Sequence, residues 1–313
     1  MPEKLRVGAV NYLNAKPLIE RLTEFAPNIE LSLDLPSRLA DQLAAGRIDI
    51  GLIPVIEYLR GSDPLTAGER VAEGRVWGLE PNGRTPHPVC SLRSQTTLSP
   101  TGRGYRLIPN IAIASRGPVL SVTLFSKKPW PEIQSVALDE GSRSSAALTQ
   151  ILLRKRYGVH PSIVSLPIDA AAESLGTDAV LLIGDRAMHA CLPGFRYSYD
   201  LGREWTDWTG LPFVYAVWAV RDGVELGEVE HAFHRARDYG VAHAGEIAQR
   251  EAPLLGLDPG YCRRYLDTLI RYDLGEAELA GMHRYRELFD SLAATRSLRS
   301  GALRFEDSAS RLI

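Results

Sequence analysis

The chain has 313 residues, of which 45% are hydrophobic and 24% are charged. This is ordinary globular usage, too apolar for a chain that is disordered throughout, and the length suggests about two domains. The 36 Lys and Arg residues nearly balance the 38 Asp and Glu residues, giving a net charge of -2. This balance argues against nucleic acid and against an anionic membrane as partners.

The chain lacks the features of a membrane-spanning or disulfide-rich protein. No stretch approaches the roughly 18 consecutive apolar residues of a transmembrane helix. The start, MPEKLRVGAV, lacks the apolar run of a secretory signal, which predicts a cytoplasmic protein if the chain is complete. The three cysteines, Cys90, Cys191 and Cys262, are scattered and odd in number, as expected in a reducing compartment.

Strand and helix patterns alternate in the first 60 residues. Apolar runs at 5–10 and 48–54 predict strands, and the alternation of apolar and polar residues at 31–35 predicts a half-buried one. Ser37 is a suitable N-cap for a helix that ends at Gly46, and another helix is predicted after the third strand. This alternation is typical of a parallel α/β sheet. Residues 61–107 break the pattern and predict a long, partly mobile surface insertion.

A second α/β unit follows the insertion. Its strands are predicted at 136–138, 163–166 and 178–183, with helices opening at 141–145 and spanning 169–175. Another buried strand is predicted over 211–221, then mostly helices, with no clear pattern after about residue 296. Two such units predict two lobes with a cleft at the strand ends. The loops expected to form the site are 11–17, 115–118, 139–145, 184–186 and 205–212.

The common catalytic motifs are missing from the sequence. There is no P-loop, G-x-S-x-G, H-E-x-x-H or C-x-x-C, and Leu107 breaks a dinucleotide-binding fingerprint. His231 and His234 lack an evident third ligand, so neither a metal nor a cofactor is predicted. Trp205 and Trp208 fall in a predicted polar loop, where they either stack on a ligand or pack in the core.

The segment DEGSRSS at 139–145 carries the clearest chemical signal. Ser142, Arg143, Ser144 and Ser145 stand where a strand leads into a helix. Free N–H groups at a helix N-terminus, together with hydroxyls, favour carboxylate or phosphate binding. Ordinary capping by one serine is the alternative.

Three other loops contain candidate residues. Ser115 and Gly117 interrupt an apolar stretch, which fits either a ligand contact or a plain turn. Tyr12 and Asn14 follow the first strand, where asparagine often serves turns. Asp185 follows a buried strand and either lines the cleft or forms a structural ion pair.

At these loops the sequence resembles the chorismate dehydratases of the futalosine route to menaquinone. The matching segments are VGAVNYLNAKPL (7–18), GRIDIGLIPVIEY (46–58), IASRGPVLSVTLFSK (113–127), LDEGSRSSAALTQILL (138–153), DAVLLIGDRAM (178–188) and WTGLPFVYAVWAVR (208–221). The insertion at 61–107 is longer than expected in that family. The resemblance implies an α/β fold like type II periplasmic binding proteins. Lobe 1 would comprise residues 1–112 and 213–313, and lobe 2 residues 113–212.

The resemblance also implies a reaction and residue roles. Chorismate would lose water to give 3-[(1-carboxyvinyl)oxy]benzoate, without a cofactor. Ser142, Arg143, Ser144 and Ser145 would hold one carboxylate, and Ser115 and the Gly117 backbone another polar group. Asn14 would orient the leaving hydroxyl or a proton-transfer partner, with the substrate's enolpyruvyl carboxylate accepting the proton. Tyr12, Asp185 and Trp208 would line the cleft.

Three other functions fit parts of the sequence. A plain small-carboxylate-binding protein has the same fold, because fold does not fix function. The 1,4-dihydroxy-6-naphthoate synthase of the same pathway also resembles this fold. A cytoplasmic ligand sensor would usually carry a DNA-binding domain, for which no basic patch is seen. The oligomeric state is left open, with a homodimer among the candidates.

Overall fold

Two mixed β-sheets form the framework. The computed structural model describes residues 4–61 and 104–309, with side chains described up to residue 292. The first sheet has the order β11-β4-β10-β3-β1-β2, and the second has the order β7-β6-β8-β5-β9. The strands are β1 (Leu5–Val10), β2 (Ile29–Asp34), β3 (Ile50–Pro54), β4 (Tyr105–Ser115), β5 (Val122–Ser126), β6 (Ser135–Asp139), β7 (Ser162–Leu166), β8 (Ala179–Ile183), β9 (Tyr197–Asp200), β10 (Phe213–Arg221) and β11 (Ile270–Arg271).

Helices cover the sheets and continue to the end of the described chain. They are α1 (Lys16–Ile19), α2 (Leu22–Phe25), α3 (Pro36–Ala44), α4 (Val55–Gly61), α5 (Arg143–Ile151), α6 (Gly184–His189), α7 (Leu201–Thr209), α8 (Val229–Ala242), α9 (Ala244–Leu255), α10 (Pro259–Arg264) and α11 (Glu276–Ala309). Within residues 4–61 and 104–309, no helix combines the length and apolar character needed to cross a bilayer.

The parallel core predicted for each unit is present, but both sheets also contain antiparallel strands. β1 pairs in parallel with β2 and β3, and β6 pairs in parallel with β7 and β8. β10 runs antiparallel to β3 and β4, while β5 runs antiparallel to β8 and β9. The alternation predicted the parallel pairs and did not indicate these antiparallel strands, which enter after the chain has changed sheets.

The chain passes between the sheets twice, and one carboxylate joins the two crossings. Asp200 ends β9 and caps α7 by accepting the N–H of Arg203 at 3.0 Å. The same carboxylate accepts the N–H of Val119 at 2.9 Å and of Leu120 at 2.7 Å, in the earlier crossing. Leu120 has a φ of 62°, a left-handed conformation that is costly for a leucine unless its surroundings hold it. Asp200 supplies that restraint.

Three boundaries of the predicted elements need correction. α3 begins at Pro36 with Leu35 as its cap, because proline suits the first helical position; Ser37 lies inside the helix and is buried. β4 begins at Tyr105, so the pattern resumes before the predicted end of the 61–107 insertion, most of which lies outside the described residues. The backbone after residue 296 is helical up to Ala309.

The helix predicted at 169–175 is also wrong, because this segment forms turns. The guanidinium of Arg186 donates to the backbone carbonyls of Ile168 and Ala170. These two carbonyls therefore accept hydrogen bonds from a side chain of α6. The predicted division of the chain into lobes after residues 112 and 212 remains a proposal; strands of the first sheet run to Ser115 and resume at Phe213.

Candidate functional site

A cleft with an empty volume of about 470 Å³, including the part open to solvent, lies where the two sheets meet. Its walls are contributed by β1, β3, β4 and β10 from the first sheet and by β5, β8 and α5 from the second. The polar side chains in its lining are hydroxyls and one amide: Tyr12, Asn14, Ser121, Ser142, Ser145 and Tyr215. Between them lie the apolar residues Val10, Pro36, Pro54, Ile113, Val122 and Ile183, with Gly184 and Ala216.

The loop after β1 places Tyr12 and Asn14 in this cleft. A short 3₁₀ turn, Leu13–Ala15, follows Tyr12, and the N–H of Leu13 donates to Asp185 Oδ1 at 3.2 Å. The Tyr12 ring packs on Gly184, where an added Cβ would lie 3.0 Å from ring atoms. Gly184 also has a φ of 61°, so this position requires glycine on both counts. The loop of one sheet is thus seated on α6 of the other.

Two carboxyl groups flank Tyr12, the buried Asp139 and the partly buried Asp185. Burial raises the pKa of Asp139 and the pKa of Asp185, although each accepts a backbone N–H, from Gly141 at 2.9 Å and from Leu13 at 3.2 Å. Burial, with the charges of these two carboxylates, raises the pKa of Tyr12 as well. Its phenol therefore stays protonated at neutral pH and can donate a hydrogen bond into the cleft.

The predicted anion segment is split between two directions. Ser142 caps α5 by accepting the N–H of Ser145 at 3.3 Å, and its hydroxyl donates to Ser145 Oγ at 2.8 Å. Ser142 and Ser145 both line the cleft. Ser144 Oγ instead accepts the N–H of Ile56 at 3.3 Å, and its carbonyl accepts the hydroxyl of Tyr285 at 2.9 Å. This segment therefore caps α5 and also contributes two hydroxyl groups to the cleft.

Arg143 does not line the cleft. Its guanidinium pairs with Asp41 of α3 at 2.8 Å and lies 3.6 Å from Glu57 of α4. Both acids belong to helices packed on the first sheet, whereas Arg143 begins a helix of the second. The predicted carboxylate-binding role of Arg143 is not favoured by this geometry, which instead makes it a bridge between the two halves.

Ser115 and Gly117 lie one layer behind the cleft surface. Ser115 Oγ lies 3.0 Å from the hydroxyl of Tyr215, which does line the cleft, and 3.2 Å from the Gly117 carbonyl. The Gly117 N–H donates to Thr206 Oγ1 at 2.9 Å. Gly202, near the start of α7, packs closely against these residues. A Cβ at this position would lie 2.6 Å from both the Gly117 carbonyl and the Tyr215 hydroxyl.

The polar loop predicted at 205–212 is largely helix α7. Leu201 and Trp205 share the face that turns inward, and Trp205 is fully buried with its indole N–H on the Pro212 carbonyl at 3.0 Å. Trp208 is partly buried, packs edge-on against Trp205 and is not in the cleft lining. Trp205 therefore packs in the core, as the second of its two predicted roles required, and Trp208 lies beside it.

Sequence reasoning missed three tyrosine and serine residues of this region. Ser121 lies within the segment GPVLSV, directly after the constrained Leu120, and Tyr215 lies in a strand that reads as purely buried. Tyr265 is fully buried, and its hydroxyl donates to Ser121 Oγ at 2.7 Å across 144 positions of sequence. Motif analysis could have identified Ser121, but no sequence pattern predicts a contact between residues 144 positions apart.

The histidines of the described residues do not cluster with other potential metal ligands. His231 and His234 lie on α8. Within the described residues, no group of three or more His, Cys, Asp or Glu side chains is placed to hold a metal ion.

Two sheets crossed twice by the chain, with a cleft lined from both, define a periplasmic-binding-protein-like fold. A solved structure of an Archaeoglobus fulgidus protein is similar to it with a TM-score of 0.64 and 16% identity, over 94% of this chain and 99% of that one. The periplasmic aliphatic sulphonate binding protein of Escherichia coli is similar with a TM-score of 0.53 and 16% identity, over 94% and 89% of the two chains. The predicted fold class is confirmed.

The chain belongs to the menaquinone biosynthesis family, whose model matches residues 5–79 and 91–291. A chorismate dehydratase of Thermus thermophilus is 35% identical over 199 residues, which cover 58% of this chain and 72% of the relative. A second chorismate dehydratase, from Campylobacter jejuni, is 26% identical over 149 residues, covering 47% and 66%. The resemblance drawn from the sequence segments is therefore confirmed.

The partly buried Asp185 gives a pH-dependent prediction. Because burial raises its folded pKa, the ionised carboxyl opposes folding, and this penalty builds up as the pH rises from the unfolded pKa to the folded pKa and is constant above it. Asp185→Asn keeps an oxygen for the Leu13 N–H and removes the charge. We expect the variant to unfold about 2–4 °C higher than the wild type at pH 7, a gain of order 1 kcal/mol.

This difference should shrink below pH about 4, where aspartate is also protonated in the unfolded chain. Thermal unfolding followed by circular dichroism at several pH values measures it. Asp169→Asn, at an exposed position, is the matched control and should leave Tm unchanged. A lower Tm for Asp185→Asn at pH 7 would mean that the negative charge itself stabilises the fold.

Proposed function

We propose that this protein is a chorismate dehydratase, a carbon–oxygen lyase that removes water from chorismate to give 3-[(1-carboxyvinyl)oxy]benzoate. The observation that carries the proposal is the convergence of Asn14 with Ser142 and Ser145 in a cleft between two sheets. Family membership and the chorismate dehydratase of Thermus thermophilus support it. In this proposal the enzyme acts in the cytoplasm on the futalosine route and uses no cofactor.

The chemistry needs little more than orientation and charge stabilisation. The proton is lost from C3 of chorismate, and a double bond conjugates the negative charge that develops there with the ring carboxylate. The hydroxyl leaves from the neighbouring C4, and the product is aromatic, so much of the driving force lies in the substrate. An enzyme for this reaction must hold a dianion, stabilise charge that spreads onto the ring carboxylate, and assist the departing hydroxyl.

The start of α5 suits one of the two carboxylates. The first N–H groups of a helix lack partners within the helix and carry partial positive charge. The Ser142 hydroxyl donates to Ser145 Oγ, which leaves the Ser145 hydrogen available to a ligand. The phenol of Tyr12, whose pKa is raised further above neutrality by burial, adds a neutral donor from the opposite sheet.

Asn14 is the proposed catalytic residue. An amide is a poor base, and the nearby carboxyl groups of Asp139 and Asp185 accept backbone N–H groups and are not in the cleft lining. In our proposal the substrate's enolpyruvyl carboxylate therefore accepts the C3 proton. Asn14 orients that carboxylate or the leaving hydroxyl by hydrogen bonding.

The proposal is tested by incubating the purified protein with chorismate in buffer containing a chelator. Separation by chromatography and mass spectrometry should reveal an aromatic product one water lighter than chorismate, absent from a heat-killed control. Unchanged chorismate, together with conversion of the cyclised futalosine intermediate, would assign the chain to 1,4-dihydroxy-6-naphthoate synthesis instead. Binding of a small carboxylate without turnover would indicate a binding protein.

Replacing Asn14 should impair the chemical step. We expect Asn14→Ala to lower kcat by about 100-fold or more, with a much smaller change in KM, because the amide acts on the reacting groups. Asn11→Ala is the matched control, since Asn11 is in the same loop but exposed, with its amide oxygen 3.1 Å from Lys16 Nζ. A near-normal kcat with a raised KM in Asn14→Ala would exclude the catalytic role.

Arg143 can be tested against its sequence-based role. If it bridges the halves through Asp41, Arg143→Ala and Asp41→Asn should each raise KM by about two- to fivefold and leave kcat unchanged, as expected of a half-exposed ion pair. The double variant should resemble either single variant. If Arg143 holds a substrate carboxylate, Asp41→Asn will leave KM unaltered while Arg143→Ala raises it far more.

A further inference from the structure

Tyr265 is a buried residue that touches two parts of the cleft without lining it. It follows α10 and begins a wide turn, Tyr265–Leu269, in which the N–H of Ile270 bonds to the Tyr265 carbonyl. Such i→i+5 turns are rare within helices and occur frequently at functional sites. The Tyr265 side chain is only 1% exposed, so its hydroxyl can be satisfied only by protein groups around it or by a buried water.

The Tyr265 hydroxyl meets residues of the cleft from behind. Its O–H donates to Ser121 Oγ at 2.7 Å. Burial raises the pKa of this phenol, and its neighbour Asn14 acts, by a smaller effect, to lower it. Asn14 and Ser121 both line the cleft. They come from the loop after β1 and from the crossing after Leu120, so Tyr265 is a neighbour common to both.

The direction of the bond to Ser121 limits what each neighbour can present to a ligand. A phenol has one hydrogen, and Tyr265 gives it to Ser121. A hydrogen bond between the phenol and Asn14 must then be donated by the Asn14 amide nitrogen, which would determine where the Asn14 oxygen points. Ser121 in turn accepts from the phenol, which leaves its own hydrogen for another acceptor.

We propose that Tyr265 is a positioning residue for the dehydration, which sets the orientation of the Asn14 amide and the Ser121 hydroxyl from behind the cleft. This inference rests on the proposed function for the reaction that it serves. The alternative is that Tyr265 merely fills the core, in which case its hydroxyl is dispensable.

The chain contains a matched control for this alternative. Tyr272 is also buried and lies seven positions further on, directly after β11, but its hydroxyl has no hydrogen-bond partner among the residues that the structure describes. Tyr265→Phe and Tyr272→Phe each remove one oxygen and keep the ring. Only the first breaks contacts to cleft residues, so a general effect of core perturbation should appear in both.

The first readout is steady-state turnover of chorismate. We expect Tyr265→Phe to lower kcat by about 10- to 100-fold with KM changed by less than about threefold, because misplaced groups slow the chemical step. Tyr272→Phe should stay within about twofold of the wild type, since its hydroxyl has no partner to lose. Equal kcat values in the two variants, both folded by circular dichroism, would overturn the proposal.

The second readout does not depend on activity. In protein labelled with ¹⁵N-asparagine, the Asn14 amide signal is identified by its loss in Asn14→Ala. It should shift and exchange faster with solvent in Tyr265→Phe, and remain unchanged in Tyr272→Phe. An unaltered Asn14 signal in Tyr265→Phe would reject the positioning role, whereas absence of turnover in the wild type would reject the proposed function and leave this readout to judge the contact.

Discussion

The arrangement of the cleft depends on the carboxylate of Asp200. It accepts N–H groups from Val119 and Leu120 in one crossing and from Arg203 in the other. Backbone N–H groups that are buried without an acceptor cost free energy, and a left-handed leucine adds strain. Because one side chain satisfies all three N–H groups, the crossings are fixed relative to each other. Ser121 takes its place in the cleft as a result.

The chemical groups of the cleft are distributed over both halves, and contacts between the halves complete it. Asp185 and Gly184 hold the loop of Tyr12 and Asn14 from the opposite sheet. Ser144 accepts an N–H from the first turn of α4, and Arg143 reaches α3 and α4. A segment that reads as one anion site thus places two hydroxyls, of Ser142 and Ser145, in the cleft and uses its other two side chains to join the two halves.

The sequence was informative where local rules apply. Hydropathy and capping chemistry predicted most of the strands, the loops after β1 and β6, and the cap at Ser142, but not the short strands β9 and β11. The helix at 201–209 was missed because its polar residues obscure the face shared by Leu201 and Trp205. The direction of Arg143 depends on acids about 100 positions away, and Tyr265 meets Ser121 across 144 positions. No local pattern carries such contacts.

The contact at Gly202 ties the shape of the cleft to a residue that does not line it. Backbone and hydroxyl atoms of Gly117, Tyr215 and Ser115 occupy the space that a side chain at Gly202 would need. None of these atoms belongs to a long flexible side chain that could swing aside. A larger residue at position 202 would therefore push the Tyr215 hydroxyl out of its place in the cleft lining. The volume of the site thus has a determinant one layer away from any ligand.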